Sequence, residues 1–202
     1  MKGKCIMSLK IRRLLKDKKV VLASQSPRRK ELLKIICEDF EICPAQGLEI
    51  LPENTPAFEA AQLLARNKCG EVSQKYGEDA IVIACDTIVV VDGEIMGKPQ
   101  NPAQAEDMLR SLSGKTHSVI SGVAFCINEK IYSFSETTKV TFRQLSDEDI
   151  ADYITTGEPF DKAGAYGIQG FGSLLVSGIE GDYFNVVGLP LSSLAENLEQ
   201  LL

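Results

Sequence analysis

The chain has 202 residues, 44% of them hydrophobic and 25% charged, with ordinary Gly and Pro, the make-up of one soluble globular domain. Its net charge of −6 conceals an asymmetry: residues 1–19 hold eight Lys/Arg against Asp17 alone, which leaves the remaining body at −13. An acidic body excludes broad nucleic-acid binding, which needs a continuous basic surface, and no apolar run approaches the roughly 20 residues of a membrane span.

Six cysteines, at positions 5, 37, 43, 69, 85 and 126, form no CxxC pair and follow no signal peptide. Several sit in apolar runs, where a thiol acts as a small hydrophobe, so the chain reads as a protein of the reducing cytoplasm. The single histidine, His117, excludes multi-histidine zinc sites and would have to serve any Ser–His or Cys–His dyad alone. Chemistry here falls to carboxylates, Lys, Arg, hydroxyls or a metal bound by oxygen.

Residues 1–19 read as a basic, flexible arm, with a surface-binding helix or translation from an upstream start as alternatives. Residues 20–23 read as a short strand. Ser26 is a good N-cap and Pro27 a good first helical residue, so a helix starts there. Arg28, Arg29 and Lys30 crowd its first turn, where the macrodipole disfavours cations by ~0.3–1 kcal/mol each. Exposed amides, the Ser24 and Ser26 hydroxyls and two guanidiniums would together cradle a polyanion; a solvated basic turn is the plainer alternative. A strand at 40–43 leads to a loop holding Glu49 and Glu53, and Pro56 opens a helix to about Tyr76. Its apolar seam is Phe58, Ala61, Ala65, Val72 and Tyr76. Lys68 falls on that seam, so it either faces inward toward an anionic partner or snorkels to solvent.

The chain is organised around residues 81–99, IVIACDTIVVVDGEIMGKP. An apolar run, the composition of a buried strand, stops at Asp86–Thr87 and then resumes. Asp92–Gly93 is a two-residue hairpin signal. Continued past the turn, its register sets Thr87 across from Lys98 and Asp86 near Pro99. A lysine would then stand beside a carboxylate at a strand end, where open α/β sheets bind ligands; a strand cap with a solvated lysine is the alternative.

Asn101 caps a helix that begins at Pro102 and ends near Gly114. Residues 114–116 imitate the tail of a phosphate loop, but Leu109 stands where a Walker glycine is required. Residues 117–127 and 130–143 alternate as a long hairpin joined at Asn128–Glu129. Ser146 and Asp149 have capping-box spacing ahead of a helix that Gly157 ends. Residues 160–172 hold four glycines, which allow close backbone approach to a ligand, and Gln169 among them suits reading a base edge. Residues 174–179 and 183–187 read as a last strand pair, and a final amphipathic helix follows Pro190.

Four motifs in this order, LASQSPRRKELL (22–33), Asp86–Thr87 with Lys98–Pro99, LSGKTH (112–117) and FDKAGAYGIQG (160–170), resemble the Maf family of nucleoside triphosphate pyrophosphatases. The resemblance covers residues 20–202, leaves 1–19 without a counterpart, and is nearest the branch acting on dTTP and UTP. It implies an α/β fold: a single elongated domain with a mixed, highly twisted sheet flanked by helices. It implies water attack between the α- and β-phosphates, releasing a nucleoside monophosphate and pyrophosphate. By position in the motifs, Asp86 would be the base and would also hold a divalent cation, Mg²⁺ or Mn²⁺, with Glu49 as a second acidic ligand. Arg28, Thr87 and Gln169 match specificity positions, and Arg28, Lys68 and Lys98 would surround the triphosphate, with Ser24, Ser26 and Arg29 as substrate-binding residues of the polyanion cradle. The family is often dimeric, which admits a homodimer, and is linked to cell-division arrest. A non-catalytic nucleotide-binding regulator of division is therefore the competing reading. A redox role for Cys85 is disfavoured, because the carboxylate beside it raises the thiol pKa.

Overall fold

The apolar run that carries Asp86 becomes the spine of a sheet. The structure, a computed structural model, describes residues 10–48, 50–52 and 55–202. Its strands are β1 (Lys19–Leu22), β2 (Glu41–Ile42), β3 (Ala80–Val91), β4 (Glu94–Met96), β5 (Thr116–Ile127), β6 (Lys130–Phe142) and β7 (Val176–Glu180). They form one seven-stranded mixed sheet in the order β2-β1-β3-β5-β6-β7, with β4 attached to β3. β1 runs parallel to β2 and β3, whereas β3, β5, β6 and β7 are successively antiparallel.

The helices are α1 (Lys10–Leu15), α2 (Pro27–Ile36), α3 (Ala57–Ser73), α4 (Pro102–Leu112), α5 (Asp147–Thr155), α6 (Tyr183–Val187) and α7 (Leu191–Leu201), with three short 3₁₀ turns between Glu158 and Leu175. Alternation along β3 sends its side chains to two layers. Val82 and Ala84 pack under α3 with Ala65, Cys69 and Val72. Ile81, Ile83 and Cys85 face the other way, against Leu15, Leu33, Leu189 and Leu194 from α1, α2, the α6–α7 link and α7. Farther along that second face, Val89 and Val91 meet Leu109 and Leu112 of α4 and Ile150 of α5. α3 lies directly on the sheet at Gly122, where any Cβ would overlap the backbone of Ala61 and Gln62.

Several expectations hold in detail. Ser26 and Asn101 cap α2 and α4, and Ser146 with Asp149 forms a reciprocal capping box at α5. Asp92 and Gly93 both take positive φ (51° and 87°), and the pairs Val91–Glu94, Val90–Ile95 and Val89–Met96 follow the expected register.

Five expectations are corrected. The strand does not stop at Asp86–Thr87; β3 runs unbroken from Ala80 to Val91. The hairpin pairing does not reach Lys98, because β4 ends at Met96 and the Gly97 carbonyl instead accepts from Gly164 N at 3.0 Å. Residues 183–187 are helical: Asp182 accepts from Phe184 N at 2.8 Å to start the turn, and Asn185 is buried, donating to Val119 O and Thr138 Oγ1. The basic arm is packed over its second half, with Ile11 and Leu15 of α1 at 2% exposure in the core; residues 1–9 lie outside the described residues. In α3 the buried seam is Ala60, Ala61, Leu64, Ala65, Cys69 and Val72, and Phe58 is exposed.

Candidate active site

The site follows from an interruption in the sheet. β5 pairs with β3 continuously from Val82 to Val90. On the opposite edge β1 covers only Ala80–Ile83 and β4 only Val89–Val91, so no strand among the described residues covers 84–88. A cavity of about 760 Å³ opens there. Asp86, on the α3 face of the strand, and Thr87, on the other face, both line it through this gap.

Each wall comes from a different element. Lys68 reaches down from α3 and makes an ion pair with Asp86 Oδ1. Both are mostly withdrawn from water, their side chains 18% and 12% exposed, so the inward reading of Lys68 holds. The turn between β1 and α2 supplies Ser24 and Ser26. Ser24 Oγ accepts from Ser26 N (3.2 Å) and from Arg29 Nη1 (3.3 Å), while Ser26 Oγ accepts from Arg29 N (3.4 Å). Arg29 is a brace: Nη2 donates to Thr87 Oγ1 at 3.0 Å and Nε to Gly188 O at 2.9 Å. Thr87 is held from its other side by Ser121 Oγ at 2.8 Å. Arg28 turns outward across the cavity and pairs with Asp161 Oδ2 at 2.9 Å. Lys98 and Gln169 are exposed lining residues. Glu49, expected to ligate a metal, lies outside the described residues, as does Glu53.

Four further residues shape the site. Lys162 lines the cavity, and its Nζ donates to Asp161 Oδ1 at 2.6 Å and to Glu158 O at 2.5 Å. Burial pushes the Asp161 carboxyl up, but hydrogen bonds from Lys162 and Arg28 outweigh it and hold it below the ordinary value. A lysine beside an aspartate in a glycine-rich stretch was a signal for both. Ser121 offered none, because its partners Thr87 and Asn185 are far along the chain, and Glu158 offered none, because its partners are backbone amides that any sequence carries.

Among the described lining residues, five cations (Arg28, Arg29, Lys68, Lys98, Lys162) stand against two carboxylates (Asp86, Asp161). A local excess of three positive charges in a chain of net charge −6 marks an anion site. Neither His117 nor Cys85 belongs to its chemistry. His117 is buried against Tyr166 (Nε2 to Oη 2.6 Å) and Phe142, and burial lowers its pKa to about 4. Cys85 donates to Gly188 O at 3.1 Å, and complete burial, more than the Asp86 carboxylate, pushes its thiol up.

A family model described as Maf-like protein matches residues 19–201. The chain belongs to the Maf family. A relative from Bacillus cereus (strain AH187), described as dTTP/UTP pyrophosphatase, is 47% identical over 183 residues, 91% of this chain and 95% of the relative. Another of the same description, from Bacillus mycoides (strain KBAB4), is 46% identical over the same shares. Among solved structures, a HAM1 protein from Coxiella burnetii covers 91% of this chain and 99% of its own, with a TM-score of 0.49 and 17% identity. The Maf match takes in every site residue, and it begins at the first residue of β1, so α1 is an addition ahead of it.

Proposed function

We propose that this chain is a nucleoside triphosphate pyrophosphatase acting on dTTP and UTP, as its curated relatives are described. The observation that carries the reading is the excess of cations around one buried carboxylate at the uncovered edge of β3. A triphosphate is a compact polyanion, and Arg28, Lys68, Lys98 and Lys162, which line the cavity, would support its charge. The reaction is hydrolysis: a water oxygen bonds to phosphorus, the bridge between the α- and β-phosphates breaks, and pyrophosphate leaves. Asp86 takes the proton from the water. Lys68 holds that carboxylate in place, and Arg29 holds Thr87, so the catalytic floor is fixed from both faces of the strand.

A divalent cation fits this donor set. Mg²⁺ is commonly held by one or two carboxylates together with substrate phosphates, and Asp86 is a hard oxygen donor in a cavity with room for them. Asp86, with Glu49 as the second acidic ligand, would hold it, and when bound it would neutralise charge on the phosphate oxygens. Gln169 reads the base. Its amide can accept from the ring N–H shared by uracil and thymine and donate to a flanking carbonyl oxygen, a match that cytosine lacks.

Pyrophosphate release from UTP, dTTP, CTP and GTP, with Mg²⁺, Mn²⁺ or neither, tests the reading on the parent and on Asp86→Asn. Turnover of UTP and dTTP well above CTP and GTP is expected, with Asp86→Asn slower by ~10²–10⁴-fold and still folded, its melt lowered by loss of the ion pair with Lys68. Equal use of CTP and UTP by the parent would overturn the base assignment. Turnover by Asp86→Asn within about tenfold of the parent would remove Asp86 from the mechanism.

A further inference from the structure

Gln169 occupies the N-cap position of the 3₁₀ turn Gly170–Leu175, yet its side chain makes no capping hydrogen bond. The orphan amides of that turn are satisfied from elsewhere. Glu158 Oε1 accepts from Phe171 N at 3.1 Å and Oε2 accepts from Gly172 N at 3.2 Å. Glu158 is fixed in turn, because Lys162 Nζ donates to its main-chain carbonyl. The glycines fit this clamp closely. A Cβ on Gly170, which has φ of 63°, would overlap Glu158 Oε1. A Cβ on Gly172 would overlap Gly167 O and lie 2.8 Å from Tyr153 Oη, which accepts from Gly167 N at 3.3 Å. Glu158 and Tyr153 thus hold the segment 167–172 without themselves lining the cavity that Gln169 lines.

We propose that Glu158 is a positioning residue for base recognition: by taking the amides of Phe171 and Gly172 it frees the Gln169 side chain from capping and fixes the backbone that follows it. An N-cap side chain left to satisfy its own turn would spend its acceptor on the backbone. The same acceptor is needed by the substrate N–H. Glu158 touches neither base nor phosphate, so its loss acts on the choice of base and leaves the phosphate machinery standing. The inference rests on the proposed pyrimidine preference and deepens it.

The test is kcat and KM for UTP and CTP on the parent, Glu158→Gln and Glu158→Ala. A glutamine retains one acceptor and places a donor against the second amide, whereas alanine releases both. The UTP-to-CTP ratio of kcat/KM is expected to fall by about tenfold or more in Glu158→Ala and by a smaller factor in Glu158→Gln. The loss should appear as a raised KM for UTP, with kcat at saturation within about threefold of the parent. Gly170→Ala, which displaces the Glu158 carboxylate from the opposite side, should reproduce the lost ratio and serves if Glu158→Ala does not fold. An unchanged ratio in the variants, or an equal loss for UTP and CTP, would overturn the role of Glu158 while leaving the pyrophosphatase intact. A parent with no preference for UTP would overturn the base reading itself, and this inference with it.

Discussion

Lys68 illustrates what one side chain does in this molecule. Its ammonium and the Asp86 carboxylate lie between helix and strand, each mostly withdrawn from water, so each is the other's compensation for lost hydration. Lys68→Met is therefore expected to lower stability by about 1–3 kcal/mol, less than for a fully enclosed pair because the cavity admits water. It should also reduce kcat/KM for triphosphates by about 10–100-fold through loss of a fixed cation. Lys98→Met, at an exposed position, should raise KM with little change in melting temperature; denaturant unfolding and steady-state kinetics on both variants separate the two behaviours. The inward aim of Lys68 was legible because helical spacing places it on the Ala61–Ala65–Val72 seam. The bracing role of Arg29 was not: its partners Thr87 and Gly188 lie 58 and 159 residues away. Two adjacent arginines look alike in sequence, and only their distant acceptors make one a brace and the other a partner of Asp161.

The element that brings Lys68 to Asp86 is α3, and its height above the sheet is set at Gly122. Gly122 lies directly opposite Asp86 in the β3–β5 register, on the same face. Because a methyl group there would enter the backbone of α3, Gly122→Ala should push the helix off the sheet and part the ion pair. The expected cost is about 2–3 kcal/mol or more, with kcat/KM reduced even under conditions where the variant remains folded. Urea unfolding with parallel activity measurements checks both. An isolated glycine in a strand pattern is a sign of close backbone approach, so this contact was legible in principle. The α6 helix was not. Residues 183–187 have strand-forming composition, and they coil because Asn185 finds its acceptors on β5 and β6, a tertiary arrangement that overrides local preference.

At the scale of the whole molecule, His117 couples stability to pH. Its folded pKa of about 4 lies below the ordinary 6.5, since burial disfavours the charged ring. The unfolded chain binds the proton more readily between those values. The contribution is therefore complete above pH 6.5 and is lost as pH falls toward 4. From pH 7 to pH 5 the loss is about 2 kcal/mol. Other groups titrate in the same range, so the measurement is the difference between parent and His117→Phe, whose unfolding free energy should fall less steeply on acidification. Sheet order was partly legible: the turns at 92–93 and 128–129 announced their hairpins. The gap beside residues 84–88 was not, because it depends on where β1 and β4 end. The polar pair Asp86–Thr87 marked the right place for the wrong reason: the strand continues there, and its neighbours stop.

That gap has a consequence for how the chemistry is recorded. In a strand the N–H and C=O of one residue point to the same edge and alternate along the chain. Ile83 directs its carbonyl to β1 and Val89 pairs with β4, so the peptide groups of Cys85 and Thr87 turn toward the opening. Part of the cavity floor is then main chain, and its polarity is the same whatever side chains stand at those two positions. Replacing residues one at a time would pass over it, since every amino acid except proline carries the same amide. A catalogue of essential residues would register Asp86 and Thr87 and miss the peptide groups beside them. This part of the site is inherited as architecture, as a place that two neighbouring strands leave bare, rather than as letters.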